Sequence, residues 1–335
     1  MRALSLLAAV LALSGCATLA RLGVATETTT STATVVGESD EFVVVVPERA
    51  ESTQVLARTY LGDAGKAWMI EDFNGGARTY KAGERVVIPK RPWNIAGVEP
   101  TGYQLVPILV YHNLGAESKG RLVLGADLFS EQMHYLKREG YRVISLAEFV
   151  EWLQLKRQLP RKSVVLTFDD GYQSFREHAY PVLKKLGFPA TLFVYTDYVG
   201  AGRNALSWEE LKSLAAEGFD VQAHSKTHGD LRRAAGETDA QYSKRMQAEL
   251  AEPPRLFQRQ LGRGVQFLAY PYGRVDDELQ SRVREQGYAA AFTVRRESNP
   301  SFARPLSISR SQVYSEMTLE QFAKNLNLFH RENLK

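Results

Sequence analysis

Asp169 and Asp170 are adjacent, at the end of the apolar, β-branched run Ser163-Val164-Val165-Leu166-Thr167-Phe168 and just before Gly171-Tyr172. Two carboxylates at a strand end repel each other, and burial raises their pKa values unless a cation or hydrogen-bond donors hold the charge. A metal ion removes the difficulty. Asp and Gly also favour turns for backbone reasons, so this tetrapeptide alone does not separate a turn from a site. A second group sharpens the choice. His224-Ser225-Lys226-Thr227-His228 follows the strand-like run 219–222, and two histidines four apart on a helical turn or a tight loop can present both imidazoles to one ion. With six histidines in 335 residues, chance would supply roughly 0.1 such pairs, so the spacing carries information. Two histidines, a carboxylate and an open position for water make the ligand set of catalytic rather than structural zinc. The same donors admit iron, cobalt or nickel. Two further strand ends add candidates. Phe267-Leu268-Ala269-Tyr270 runs into Pro271-Tyr272-Gly273, where the Tyr272 backbone N–H could point at a developing oxyanion. Leu109-Val110-Tyr111 ends in His112; a lone histidine there is more often a buried, hydrogen-bonded residue, but here every other reactive group also ends a strand.

The elements that must position these groups follow from composition and pattern. The chain is 44% hydrophobic and 24% charged, which excludes disorder over most of its length, and 335 residues suggest about two domains. The formal net charge of +4 is scattered along the chain, so no nucleic-acid partner is expected. The only cysteine, Cys16, excludes an intrachain disulfide and any multi-thiolate zinc site, leaving His and carboxylates as metal ligands. From residue 105 onward, strand-like runs at 107–111, 142–144, 163–168, 190–194, 219–222, 265–270, 289–293 and 307–313 alternate with helical patterns at 129–138, 146–155, 175–186, 208–217, 242–261, 276–285 and 319–328. This order predicts an α/β fold, an irregular parallel (β/α) barrel, with its chemistry at the carboxyl ends of the strands.

Thr167-Phe168-Asp169-Asp170-Gly171-Tyr172, His224-Ser225-Lys226-Thr227-His228 and Tyr270-Pro271-Tyr272-Gly273, in this order, resemble the motifs of the NodB-type polysaccharide deacetylases, carbohydrate esterase family 4. The match covers about residues 105 to 320. Val110-Tyr111-His112-Asn113 resembles the branch that includes the poly-N-acetylglucosamine deacetylases, in which the acid histidine precedes the Asp-Asp motif. The resemblance implies that Asp170, His224 and His228 bind a divalent metal, Zn2+ first and Co2+, Ni2+ or Fe2+ as alternatives. It also implies that Asp169 is the general base for the attacking water, that the Tyr272 N–H shares the oxyanion, and that His112 protonates the leaving amine. Two features depart from the family pattern. The Arg that orients the catalytic Asp falls here on Ala269, and Arg310, in the last strand-like run, is the candidate replacement. No strand-ending Leu-x-His-Asp occurs near the C-terminus; His330 lies in a helical pattern and is read as solvent-facing, and His134 and His178 as structural. Tyr111, Tyr172, Trp208, Tyr270 and Tyr272 flank the motifs, where stacking on sugar faces competes with core packing as their explanation.

The first 40 residues read differently. Arg2 followed by the apolar run 3–13 has the form of an export signal, too short to span a bilayer. Leu13-Ser14-Gly15-Cys16 resembles the lipobox of bacterial lipoproteins, which implies a signal peptide over 1–15, a lipidated Cys16 and membrane attachment. Ala17 in place of Asp points to the outer membrane, facing the periplasm. Residues 16–40, with their Thr/Ser-rich stretch, read as a disordered tether. Residues 41–90 show a βααβ order and resemble a LysM module, a sugar-binding unit of cell-wall proteins. The resemblance rests on Val55 to Tyr60, Trp68-Met69-Ile70 leading to Asn74, and Ala82 to Pro89, and Arg49-Ala50-Glu51-Ser52 replaces the usual entry to the first helix. A Pro/Gly-punctuated linker spans 91–104 and the deacetylase-like domain 105–335. The resulting expectation is an envelope-anchored, metal-dependent N-deacetylase of an N-acetylglucosamine-containing polysaccharide: poly-N-acetylglucosamine, peptidoglycan or a chitin-like chain. The alternative is an inactive glycan-binding lipoprotein acting through the LysM-like module. A glycosidase using Asp169 and Asp170 is disfavoured, because neighbouring residues cannot flank a glycosidic bond at the required separation of about 5 to 9.5 Å.

Overall fold

The computed structural model describes residues 30–76 and 78–334. The expected signal peptide and Cys16 lie outside the described residues. The chain first builds a small unit from β1 (Thr34–Glu38), β2 (Phe42–Val46), α1 (Thr53–Leu61), α2 (Ala67–Phe73) and β3 (Val86–Pro89), with β2 central in an antiparallel three-stranded sheet. β2 alternates in burial, and its inward Val43 and Val45 meet Leu56, Ala57, Ile70, Val86 and Ile88 in one apolar cluster. Ser52 caps α1 by accepting the Val55 N–H at 3.3 Å.

The described part of the expected tether, from residue 30 onward, is ordered: Thr34–Glu38 pairs with β2, and Ser31 and Thr32 are tied down. The Thr32 N–H donates to the buried Glu51 carboxylate at 3.0 Å, and the Ser31 N–H to Thr59 Oγ1 at 2.9 Å. Ser31 and Thr32, too polar to make a core of their own, are held because a neighbouring unit supplies acceptors for them. The unit also touches the larger domain, through Glu71 to Arg142 at 2.9 Å and through Asp72, which accepts the Arg161 N–H at 2.9 Å.

The larger domain contains β4 (Ile108–Tyr111), α3 (Ala126–Arg138), β5 (Arg142–Ile144), α4 (Leu146–Leu153), β6 (Ser163–Asp170), α5 (Tyr180–Leu186), β7 (Thr191–Val194), α6 (Trp208–Ala216), β8 (Asp220–Ala223), α7 (Asp239–Met246), α8 (Glu252–Leu261), β9 (Phe267–Ala269), α9 (Asp277–Glu285), β10 (Ala290–Phe292), β11 (Ser311–Gln312) and α10 (Leu319–Lys324). The strands form one parallel sheet ordered β10-β9-β8-β7-β6-β4-β11, with β5 beside the first half of β6. The chain just before β11 reaches the other edge, where Ile308 bridges Phe292. One irregular segment, 308–312, thus spans the gap between β10 and β4, which curls the sheet into the expected irregular barrel.

All eight residues of β6 are buried, as a strand covered on both faces requires. Val164, Leu166 and Phe168 pack under the surrounding helices, whereas Val165 belongs to the cluster inside the barrel. Period-two alternation carries Thr167 and Asp169 to that same interior face.

Three helical expectations change. The stretch 242–261 is α7 and α8 joined through a π turn at Gln247–Ala251, because Pro253 and Pro254 restart the helix. A second π turn, Phe175–Ala179, precedes α5. The final helix stops at Lys324, and His330 lies instead on a short strand, Phe329–Arg331, where it stacks on Tyr103 and faces solvent.

Candidate active site

The carboxyl ends of β6, β8, β9 and β4 converge, and four of the five non-glycine residues with positive φ among the described residues lie there: Asp170 (75°), Ser225 (68°), His228 (63°) and Tyr272 (60°). Left-handed backbone at an L-residue is costly, and such residues cluster where the surrounding structure imposes an unusual chain path. For Asp170 the turn breaks the strand's alternation, so two sequence neighbours that would point oppositely can serve one cavity.

Asp169 is held from behind. Arg310, fully buried, donates to both carboxylate oxygens at 2.7 Å. The guanidinium is itself fixed by the Thr293 carbonyl at 3.0 Å and Thr167 Oγ1 at 3.2 Å, and lies over the Phe193 ring. Burial pushes Asp169 up, but Arg310 beside it, with His224 and His112, outweighs burial and holds the carboxyl at about 2. The group is therefore a fixed anion near neutral pH.

Asp170 has no such partner. Its Oδ1 is buried without a hydrogen bond among the described residues, while standing 3.3 Å from His228 Nε2 and 3.6 Å from His224 Nε2. Burial pushes this carboxyl up to about 6, against the pull of the nearby His112, with the Asp169 charge adding to the rise. His224 Nδ1 donates to the Ala269 carbonyl at 2.7 Å, which leaves its Nε2 bare toward Asp170. Burial pushes His224 down to about 4 and also lowers His228, so both rings are neutral and able to act as ligands at neutral pH.

These observations test whether a metal fits. An orphaned buried carboxylate oxygen and two bare imidazole nitrogens lie within 4.8 Å of one another. Ligand atoms about 2.0–2.1 Å from a tetrahedral ion stand about 3.3 Å apart, close to the separations found. The donor set fits a divalent ion.

His112 follows β4, half-buried, and its Nδ1 has no partner among the described residues. Tyr272 sits in the turn 271–273 with its ring exposed and 4.8 Å from that of His228. A Cβ at Gly273 would stand 2.4 Å from Val294 Cγ2, so this turn requires glycine. The structure thus brings Asp169, Asp170, His224, His228, His112, Arg310 and Tyr272 together. It keeps His134 and His178 on surrounding helical turns and His330 outside the group.

Of the aromatic candidates, Tyr111 and Tyr270 are fully buried, with hydroxyls donating to Gln132 and to the Leu306 carbonyl, and Trp208 packs on Phe257. Tyr172 and Tyr272 remain at the rim. Pattern reading missed Tyr195 and Tyr198, which stack on each other at 5.1 Å beside His228 and Tyr172; their position just after β7 was the available signal. It also missed Glu249. From the π turn, this buried carboxylate accepts the Lys226 and Thr227 N–H groups, both at 3.0 Å, and the Thr227 hydroxyl at 2.6 Å. It clamps the loop whose strained ends are Ser225 and His228, and π turns recur at functional sites.

Comparison with known proteins agrees with this geometry. Residues 156–291 match the polysaccharide deacetylase family. The chain is 31% identical over 188 residues to the putative polysaccharide deacetylase YxkH of Bacillus subtilis, covering 56% of this chain and 64% of that protein. It is 27% identical over 173 residues to a poly-beta-1,6-N-acetyl-D-glucosamine N-deacetylase of Staphylococcus epidermidis, covering 50% of this chain and 60% of that one. The chain thus spans somewhat less than two thirds of the length of both relatives. Among solved structures, the Streptococcus pyogenes deacetylase PplD in complex with acetate superposes with a TM-score of 0.61 at 27% identity, covering 68% of this chain and all of that one. With its motifs at the strand ends of a matching barrel, the chain carries a polysaccharide deacetylase-like domain, matched over residues 156–291.

Proposed function

We propose that this chain is a metal-dependent N-deacetylase that removes acetyl groups from N-acetylglucosamine units of an envelope polysaccharide. The observation that carries the reading is the division of labour between neighbouring carboxylates: Asp169 is saturated by Arg310, and Asp170 faces two bare imidazoles. Asp170, His224 and His228 would hold the ion. Such an ion, when bound, lowers the pKa of water from 15.7 toward about 7 and polarises the acetamide carbonyl.

The remaining work falls to the chain. Asp169, kept ionised and aimed by Arg310, accepts the proton of the attacking water as the new C–O bond forms. A backbone N–H in the strained Tyr272 turn donates to the developing oxyanion. His112 protonates the nitrogen as the C–N bond breaks, because an amide anion is too basic to leave near neutral pH. The products are acetate and a free amine.

Poly-N-acetylglucosamine is the favoured polymer, supported by the order of His112 before Asp169 and by the Staphylococcus epidermidis relative. The small N-terminal unit would act as a LysM-like glycan-binding module. Lipidation at Cys16 would anchor the protein in the cell envelope, at the outer membrane facing the periplasm, and these two parts rest on the sequence. Acetate release and chain length, measured on poly-N-acetylglucosamine, peptidoglycan and chitin oligomers with and without chelator, test the whole. Acetate without shortening, abolished by chelator and by Asp169→Asn, is the expected result. Shortened chains, or binding with no product, would overturn it.

A further inference from the structure

The amino ends of the barrel strands hold a second cleft, remote from the site above. Its volume is about 370 Å³, and its walls include Trp93, Asn94 and Gly97 from the linker, Gln104, and Gln158 just before β6. Gln104 and Gln158 are 7% and 8% exposed, and each has half of its carboxamide committed. Gln158 Oε1 accepts the Trp93 and Asn94 N–H groups at 2.9 and 3.0 Å, which fixes the amide's orientation. Its Nε2 donates to nothing among the described residues. Gln104 Nε2 donates to the Pro160 carbonyl at 2.8 Å, so its orientation is fixed in the opposite sense. Its Oε1 accepts nothing among the described residues, and a Cβ added at Gly97 would stand 3.0 Å from it. Neither free half is sealed into the core.

The cleft therefore offers one oriented N–H donor and one oriented C=O acceptor beside the half-buried Trp93 indole. Both free halves face the open cleft with fixed orientations, so a ligand that supplies the complementary pair can replace the water there without either side chain having to reorient. A secondary amide has one C=O and one N–H, and an indole face suits the C–H face of a pyranose. We propose that this cleft binds an N-acetylated sugar: Gln158 Nε2 donates to the acetamido carbonyl, Gln104 Oε1 accepts from the acetamido N–H, and Trp93 packs on the ring. Assigning that acetamide to a glycan rests on the proposed function; the donor–acceptor pair stands without it.

Arg161 and Lys162, which also line the cleft, precede the first residue of β6, whereas Asp169 and Asp170 close it. From Lys162 to Asp169 the strand advances by seven residues, about 23 Å at roughly 3.3 Å each. A single sugar cannot reach both. The cleft thus holds acetylated polymer at the face opposite the reaction and releases it as acetyl groups are lost.

The test uses full-length, metal-loaded Asp169→Asn protein, so that ligand is not consumed. With four tryptophans in the chain, the Trp93 indole N–H resonance can be assigned by its loss in Trp93→Phe. It is expected to shift saturably with N-acetylglucosamine tetramer and not with glucosamine tetramer. Gln158→Glu keeps an acceptor for the two backbone N–H groups and replaces the donor with an acceptor, so the apparent Kd at this resonance should rise at least tenfold with melting unchanged. Gln104→Leu, which removes the acceptor, checks the other half should Gln158→Glu melt early. An unmoved Trp93 resonance, an equal shift with glucosamine tetramer, or an unchanged Kd in both variants overturns the site. Wild-type protein that releases no acetate but still titrates at Trp93 would refute the proposed function and leave this site standing.

Discussion

Asp170→Asn is expected to make the metal-free protein more stable and the metal-supplemented protein less stable than wild type. In the absence of an ion, the Asp170 carboxyl is buried, lacks a partner for Oδ1, and titrates near 6 rather than 3.8. Because the folded value is raised, the cost of keeping this carboxylate in the fold is absent below about pH 3.8. It grows as pH rises toward 6 and is complete at neutral pH. The interval corresponds to about 3 kcal/mol. An amide of the same shape carries no such penalty, so in chelator at pH 7 the variant should exceed wild type by up to about 3 kcal/mol in urea denaturation. The gap should close when the measurement is repeated near pH 3.5. Excess zinc should reverse the order, since an ion bound only by the native state at a hundred times its Kd adds about 2.7 kcal/mol, and the variant lacks the anionic ligand. A variant less stable than wild type in chelator at pH 7, or one stabilised by zinc as much as wild type, would refute the argument that Asp170 is a carboxylate waiting for a cation.

Two other perturbations probe the groups behind the site. Arg310→Ala leaves Asp169 buried and uncompensated, so unfolding free energy should fall by about 3–5 kcal/mol and the Asp169 carboxyl should titrate well above its present value of about 2. A loss below 1 kcal/mol in urea denaturation would contradict the bidentate pair. Glu249→Ala removes three hydrogen bonds from the His224–His228 loop. Metal affinity, read by competition with a chelating dye, should fall about 10–100-fold, with Glu249→Gln intermediate because it retains one acceptor; unchanged affinity in Glu249→Ala would mean the clamp is merely structural.

The sequence by itself determined the local matters: which runs alternate as strands, where they end, and which ligating side chains stand at those ends. Ser163–Asp170 is legible because a strand buried on both faces must be apolar throughout, so two carboxylates at its end stand out. The same holds for His224 and His228, whose spacing alone suggests one ion. The tertiary structure decided what depends on register and closure. Arg310 meets Asp169 across 141 residues because segment 308–312 closes the barrel between β10 and β4, a pairing no local pattern encodes. Sequence could name Arg310 only as the cation nearest the right kind of element. Glu249 was invisible, lying in a helical run with no motif; a π turn and packing aim it at the histidine loop. Thr34–Glu38 reads as tether by composition and is a strand because β2 offers it an open edge. Gln104 and Gln158 share a cleft because the fold brings the linker beside the start of β6. Periodicity and side-chain chemistry are properties of neighbours along the chain, whereas charge pairing, loop clamping and edge pairing depend on which distant segments the core brings into contact.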